Sequence, residues 1–251
     1  TAAGNTAVGH ESAKALTTGD QSTAIGRQSL YTATTGENNT ALGYTALYLS
    51  NGDENVAVGW SAMQQATGSS NTAVGNAALH NTTGSYNSGL GRYALTTNTS
   101  GEYNVAVGYS ALKANTTGSY NTAVGYNSLF TSSTTSGNTA IGDSTLKVTT
   151  GAKNVAVGAD AGLSTTTGYD NTLVGHSALY ANTTGYRNVV VGKDSTRTNT
   201  TGYDNTAVGT ESFQFNTTGI NNTALGKQAL QSNTTASYNV AVGYMAMLAN
   251  G

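Results

Sequence analysis

The sequence predicts an all-β protein, a parallel β-solenoid (β-roll) of about fifteen coils of 16–17 residues. Three observations carry that expectation. A pentad close to Asn-Thr-Ala-Val-Gly returns fifteen times, its glycine falling at Gly9, Gly26, Gly43, Gly59, Gly75, Gly91, Gly108, Gly125, Gly142, Gly158, Gly175, Gly192, Gly209, Gly226 and Gly243. The period is too short for helical-hairpin repeats, which need about 33 residues or more. The chain is also poor in Leu, Ile, Val and Phe, with 40 in 251 residues, yet its net charge is only -2. Disorder pairs low hydrophobicity with high charge, so order here comes from repetition.

Each unit reads as a sequence of elements. It opens on Asn, four residues before the glycine, in fourteen copies; Ser22 is the exception. The next three residues, Thr or Val (Ser88 in one copy), then Ala, then Val, Ile or Leu, suit a strand whose side chains alternate between faces. Ala holds the middle place in twelve copies, with Gly89, Leu173 and Val190 as the others. Neighbouring apolar columns face opposite ways, so one packs inside the coil and the other calls for a second surface. After the glycine comes a segment such as Tyr109-Ser110-Ala111-Leu112-Lys113-Ala114. A second strand is expected there in preference to a helical turn, although short apolar runs fit both. A second turn, often Asn-Thr-Thr-Gly, closes the unit. No shift of composition or phase interrupts this pattern, which predicts a single continuous repeat array over 1–251. The array opens at Thr1-Ala2-Ala3-Gly4 and closes at Asn250-Gly251, both within turns and without a polar cap. A segment of a longer fibre, or of an end-to-end filament, is therefore expected.

Chemistry-bearing residues are sparse. There is no cysteine, which excludes disulfides and thiolate chemistry. The near-neutral charge argues against nucleic acid as a partner, and no apolar run reaches the length of a membrane span. His10, His80 and His176 read as surface turn residues. Asp170 and Asp204 share a column two coils apart, roughly 10 Å by strand spacing, without a third ligand for calcium. No serine, histidine and acid are placed as a triad. The glycine-rich turns lack the lysine and strand-to-helix context of a phosphate loop. No catalytic residue, metal site or cofactor is expected.

Three columns remain as candidates. Asn5, Asn39, Asn55, Asn71, Asn87, Asn104, Asn121, Asn138, Asn154, Asn171, Asn188, Asn205, Asn222 and Asn239 are expected to stack as a structural amide ladder. Tyr86, Tyr103, Tyr120, Tyr169, Tyr186, Tyr203 and Tyr238 flank the pentad; they offer a binding surface for sugars or receptors, or cover the coil edge. Asn81, Asn98, Asn115, Asn182, Asn199, Asn216 and Asn233 head Asn-x-Thr/Ser triplets in the loops. They are candidate glycosylation sites, although a repeated Thr-rich turn produces such triplets by itself.

The columns Asn-Thr-Ala-Val-Gly-x-x-Ala resemble the Asn-Ser-Val-Ala-Ile-Gly-x-x-Ala head repeats of trimeric autotransporter adhesins. With Ala-Leu-x-x-Asn-Thr-Thr-Gly, they also resemble repeats of phage tail-fibre and other fibrous surface proteins. The resemblance covers all fifteen units, and it implies a trimeric β-roll on the cell surface, outside the cell or on a virion. This chain departs from the adhesin pattern in its longer coil and its Asn-Thr-Thr-Gly loop. The expected function is a structural fibre segment giving reach, stiffness and a repeated display surface. Its main partner would be itself, as a trimer or filament. A carbohydrate or host-receptor binder using the Tyr and Asn-Thr-Thr loops is the alternative. An ice-binding solenoid is a further rival, opposed by Val56, Val105, Val155, Val189 and Val240, which interrupt the Thr column as buried residues would.

Overall fold

The computed structural model describes residues 2–249. Thr1, Asn250 and Gly251, where the chain-end turns were expected, lie outside the described residues. The chain divides into two compact units after Asn121. Both are all-β. The first holds β1 (Thr6–Val8), β2 (Thr23–Ile25), β3 (Thr40–Leu42), β4 (Val56–Val58), β5 (Thr72–Val74), β6 (Ser88–Leu90) and β7 (Val105–Val107). These strands pair in chain order, parallel and in register. The second unit holds β8 (Thr122–Val124), β9 (Thr139–Ile141), β10 (Val155–Val157), β11 (Thr172–Val174), β12 (Val189–Val191), β13 (Thr206–Val208), β14 (Thr223–Leu225) and β15 (Val240–Val242). It is built the same way, again parallel and in register. Sequence neighbours stack as spatial neighbours, which makes each unit a β-solenoid with one coil per repeat.

The strand alternation decides what faces inward. In β3 the middle residue Ala41 is buried while Thr40 and Leu42 are exposed. The same pattern recurs in the second unit, as in β10 and β15. Alanine therefore lines the coil, and the Val, Ile or Leu before the glycine points out. The core of a coil is thin: Ala57, Ala62 and Met63 are fully buried in one, and Ala106, Ala111 and Leu112 in another.

The segment after the glycine is not a second strand, and among the described residues there is no helix. It is a turn in which the second and fourth residues take left-handed backbone angles, Ser61 at φ 53° and Met63 at φ 49°. Left-handed angles turn successive amides alternately toward the two neighbouring coils. Ser61 N–H donates to Tyr44 C=O of the coil before at 2.9 Å, and Met63 N–H donates to Ala78 C=O of the coil after, also at 2.9 Å. Such angles cost a β-carbon residue about 1–2 kcal/mol. The return is a pair of backbone hydrogen bonds and a Leu or Met side chain delivered to the core. Sequence periodicity could not find this, because no residue preference marks a strained Leu.

The repeat glycines answer to sterics. Gly59 sits at φ 132°, and a Cβ there would lie 2.7 Å from the Gly75 carbonyl oxygen. At the second turn Gly36 is required by approach alone, since its Cβ would lie 2.7 Å from the Gly52 oxygen.

Candidate functional site

The Asn column is a buried ladder. Asn55 N–H donates to the Asn39 Oδ1 at 2.9 Å, and Asn71 N–H to the Asn55 Oδ1 at 3.0 Å. Along the ladder Nδ2 groups reach across the coil to the second-turn carbonyl, as Asn104 does to Gly118 at 2.8 Å and Asn188 to Gly202 at 3.0 Å. Where the column holds Ser22, its hydroxyl takes over and accepts from Asn39 N–H at 3.1 Å. The second unit repeats the ladder from Asn154 on Asn138 to Asn239 on Asn222. These groups are buried and satisfied, so their work is structural.

The Asn-x-Thr/Ser column turns out to be a second ladder. Asn98, Asn115, Asn182, Asn199, Asn216 and Asn233 are all fully buried. Asn115 Nδ2 donates to Asn98 Oδ1 at 2.7 Å, and Asn216 Nδ2 to Asn199 Oδ1 at 2.7 Å. A folded coil has no room for a glycan on these six amides, which corrects the reading of them as exposed loop sites. Asn81 lies in a shorter, 16-residue coil and is only half-buried; its Oδ1 meets His80 Nδ1 at 2.7 Å.

The tyrosines form two stacks in different columns. Tyr86, Tyr103 and Tyr120, immediately before the Asn ladder, stack with centroids 4.9 and 5.1 Å apart. Tyr169, Tyr186 and Tyr203, one residue further from the ladder, stack at 4.9 and 4.6 Å. Inside a stack the ring faces cover one another, so the edges and hydroxyls are what a partner would meet. Tyr238 is highly exposed. Beside the second stack, Arg187 stands between Asp170 and Asp204 in their column and pairs with Asp204 at 2.8 Å. A cation held by the two aspartates would have to displace that guanidinium.

The outward strand faces are apolar in both units. Ile25, Leu42, Val74 and Leu90 are exposed in the first, and Ile141, Val157, Val174 and Leu225 in the second. The valines that interrupt the Thr column are exposed on the same face, Val56, Val105, Val155, Val189 and Val240 among them. Their interruption of the Thr column is thus no mark of burial within the coil.

In the first unit, over the post-glycine turns of four successive coils, lies a groove of about 430 Å³ lined by Tyr44, Thr45, Trp60, Ser61, Gln64, Ala77, His80, Tyr93 and Thr96. Thr45, Ser61 and Ala77 are small, buried residues of one column and form its floor. Tyr44 and Trp60 stand exposed on one side, Gln64, His80 and Thr96 on the other, and Tyr93 follows Ala77 at the end of the floor column. His80 is no plain surface residue: its Nε2 lies 2.7 Å from Gln64 Oε1. His10 and His176 are exposed. Only a column-by-column comparison of unlike residues could have flagged the groove, because no motif marks it.

No protein-family model, curated protein or solved structure matches this chain.

Proposed function

We propose that the chain is a structural segment of an extracellular fibre, of the kind found in surface adhesins, phage tail fibres or surface filaments, assembled from copies of itself. The observation that carries this reading is the outward strand face. It presents a column of Val, Ile and Leu in each unit, with Thr or Val beside it, while the polar ladders are spent inside the coil. Exposed apolar faces that extend over successive strands mark interaction surfaces, and charge is nearly absent from this one. Three copies around one axis, each contributing that face, is the arrangement that the resemblance to adhesin heads implies. The reading places the protein at a cell surface or on a virion and needs no catalytic residue, metal or cofactor.

Light scattering of the purified chain tests it. A mass of three times 25.4 kDa is expected, and Ile141→Lys with Val157→Lys should reduce it to the monomer while the far-ultraviolet spectrum persists. A stable, folded 25.4 kDa monomer at micromolar concentration overturns the proposal.

A further inference from the structure

We infer that the groove over Thr45, Ser61 and Ala77 is a binding site for a neutral sugar. The inference stands independently of the fibre reading. A sugar ring offers an apolar face and a rim of hydroxyls, so its site needs an aromatic plane beside polar groups that can both donate and accept. Trp60 supplies the plane. It is the sole tryptophan of the chain and is 54% exposed at the groove wall. Across the floor, Gln64 is held by His80, whose other nitrogen is held by Asn81, each at 2.7 Å. A neutral imidazole donates from one nitrogen and accepts at the other, so one of the two amides turns its NH2 to the ring; the chain fixes the Gln64 amide and leaves its other polar atom available to a ligand hydroxyl.

Charge selects the ligand class. No carboxylate, lysine or arginine lines the groove. The cations beside it are engaged by its tyrosines: Arg92 donates to the Tyr93 phenol oxygen at 2.9 Å and lies 4.6 Å from that ring centroid, Lys113 lies 5.3 Å from the same centroid, and Arg27 5.8 Å from that of Tyr44. Elsewhere the same columns carry charge: Glu11, Asp160 and Glu211 stand in the floor column, and Lys14 and Lys147 in the column of Gln64. Here Thr45, Ser61, Ala77 and Gln64 stand in those columns, and the surface is a neutral, aromatic-walled groove.

Trp60 is its own reporter. The whole chain is titrated with glucose, galactose, mannose, N-acetylglucosamine and their β-linked dimers and trimers while tryptophan fluorescence is followed. A saturable change with at least one sugar is expected. Ala77→Gln should fold, because Gln28 and Gln228 occupy the same column, and by filling the floor it should abolish that change. Trp60→Thr, matching Thr210 in its column, should lose the heat of binding in calorimetry. No saturable response to any sugar of the panel overturns the inference. So does binding that is undiminished in both variants, or a response to phenol with none to sugars. Circular dichroism and solution mass of the same samples report folding and assembly separately, so failure of this site is distinguishable from failure of the fibre reading.

Discussion

Leu173 fills the space that Gly162 leaves in the core of the second unit. The inward strand residue is Ala in twelve coils, and the fourth residue after the repeat glycine is usually Leu. At this point the sizes are exchanged between consecutive coils. A Cβ built on Gly162 would lie 2.8 Å from Leu173 Cδ1 and 2.8 Å from Leu146 Cδ2, while Leu173 itself is fully buried. The coil conserves volume, and it does so between neighbours.

Such a pair should be strongly non-additive. Leu173→Ala alone leaves a cavity and is expected to cost about 2–5 kcal/mol. Gly162→Leu alone overfills the site at about 1–3 kcal/mol. Its left-handed φ of 59° is no added obstacle, because Leu146 and Leu179 hold similar angles in the same column. The double variant restores the common coil and should approach the parent stability. Urea denaturation of the four proteins measures the coupling; simple addition of the two losses would show that the side chains do not share one space.

The same pair shows what was legible in the sequence. The period, the strand and the Asn ladder could be read because each rests on a column that hardly varies. Leu173 could be noted as an exception, but its reason could not, since nothing in the sequence says which residue of another column it meets. The turn after the glycine was misread for a related reason. Leu and Ala carry no preference for a left-handed backbone, so Met63 at φ 49° is imposed by stacking between coils. The loop asparagines were assigned to the surface because Asn-Thr-Thr-Gly is turn chemistry. The side chains of Asn98, Asn115, Asn182, Asn199 and Asn216 in fact turn inward to the carbonyl of that Gly.

The two Asn ladders make graded predictions. Asn104→Ala would take from the Asn121 N–H its acceptor at 2.9 Å and from the Gly118 carbonyl one of its two donors, Asn115 Nδ2 remaining at 2.9 Å. A buried group left unsatisfied costs about 1–3 kcal/mol. Asn104→Ser should be milder, as Ser22 already serves in that column. In the second ladder Asn199→Ala should cost a similar amount, and Asn81→Ala clearly less. Thermal denaturation ranks them. Equal, negligible effects at Asn104 and Asn199 would mean that the ladders do not hold the coils together.

The tyrosine stack predicts a sensitivity to alkali. Burial against its neighbours, with Tyr86 and Tyr120 on either side, raises the Tyr103 phenol above its ordinary value of 10.0. A folded-state pKa above the unfolded one favours the protonated form. Its contribution to stability is therefore complete below pH 10 and is lost as the pH rises through the folded-state value. Tyrosinate absorbance should show Tyr103 ionising late. Replacing Tyr86 and Tyr120 with Thr should move that ionisation down toward the ordinary range, and unchanged titration would remove the stack as its cause.

The coil itself is open to a mechanical test. In a solenoid each coil touches only its neighbours, so stability is nearly a sum over coils and their interfaces. Deleting Asn188 through Asp204 removes one 17-residue period and joins Arg187 to Asn205. Asn205 N–H then meets the Asn171 Oδ1 that Asn188 now uses at 3.0 Å, and Thr206 takes the register that Val189 holds against Thr172. The product should fold with one strand fewer and one coil rise, about 4.8 Å, less. Deleting only Asn188 through Asp194 should be far more damaging. It removes β12 and the glycine, draws Thr196 toward a strand position, and takes away the Asn188 Nδ2 that donates to Asn171 Oδ1 and to the Gly202 carbonyl inside the coil. Circular dichroism, protease resistance and urea stability compare the two products. Equal loss from both deletions would show that 17 residues are not the unit in which this chain is built.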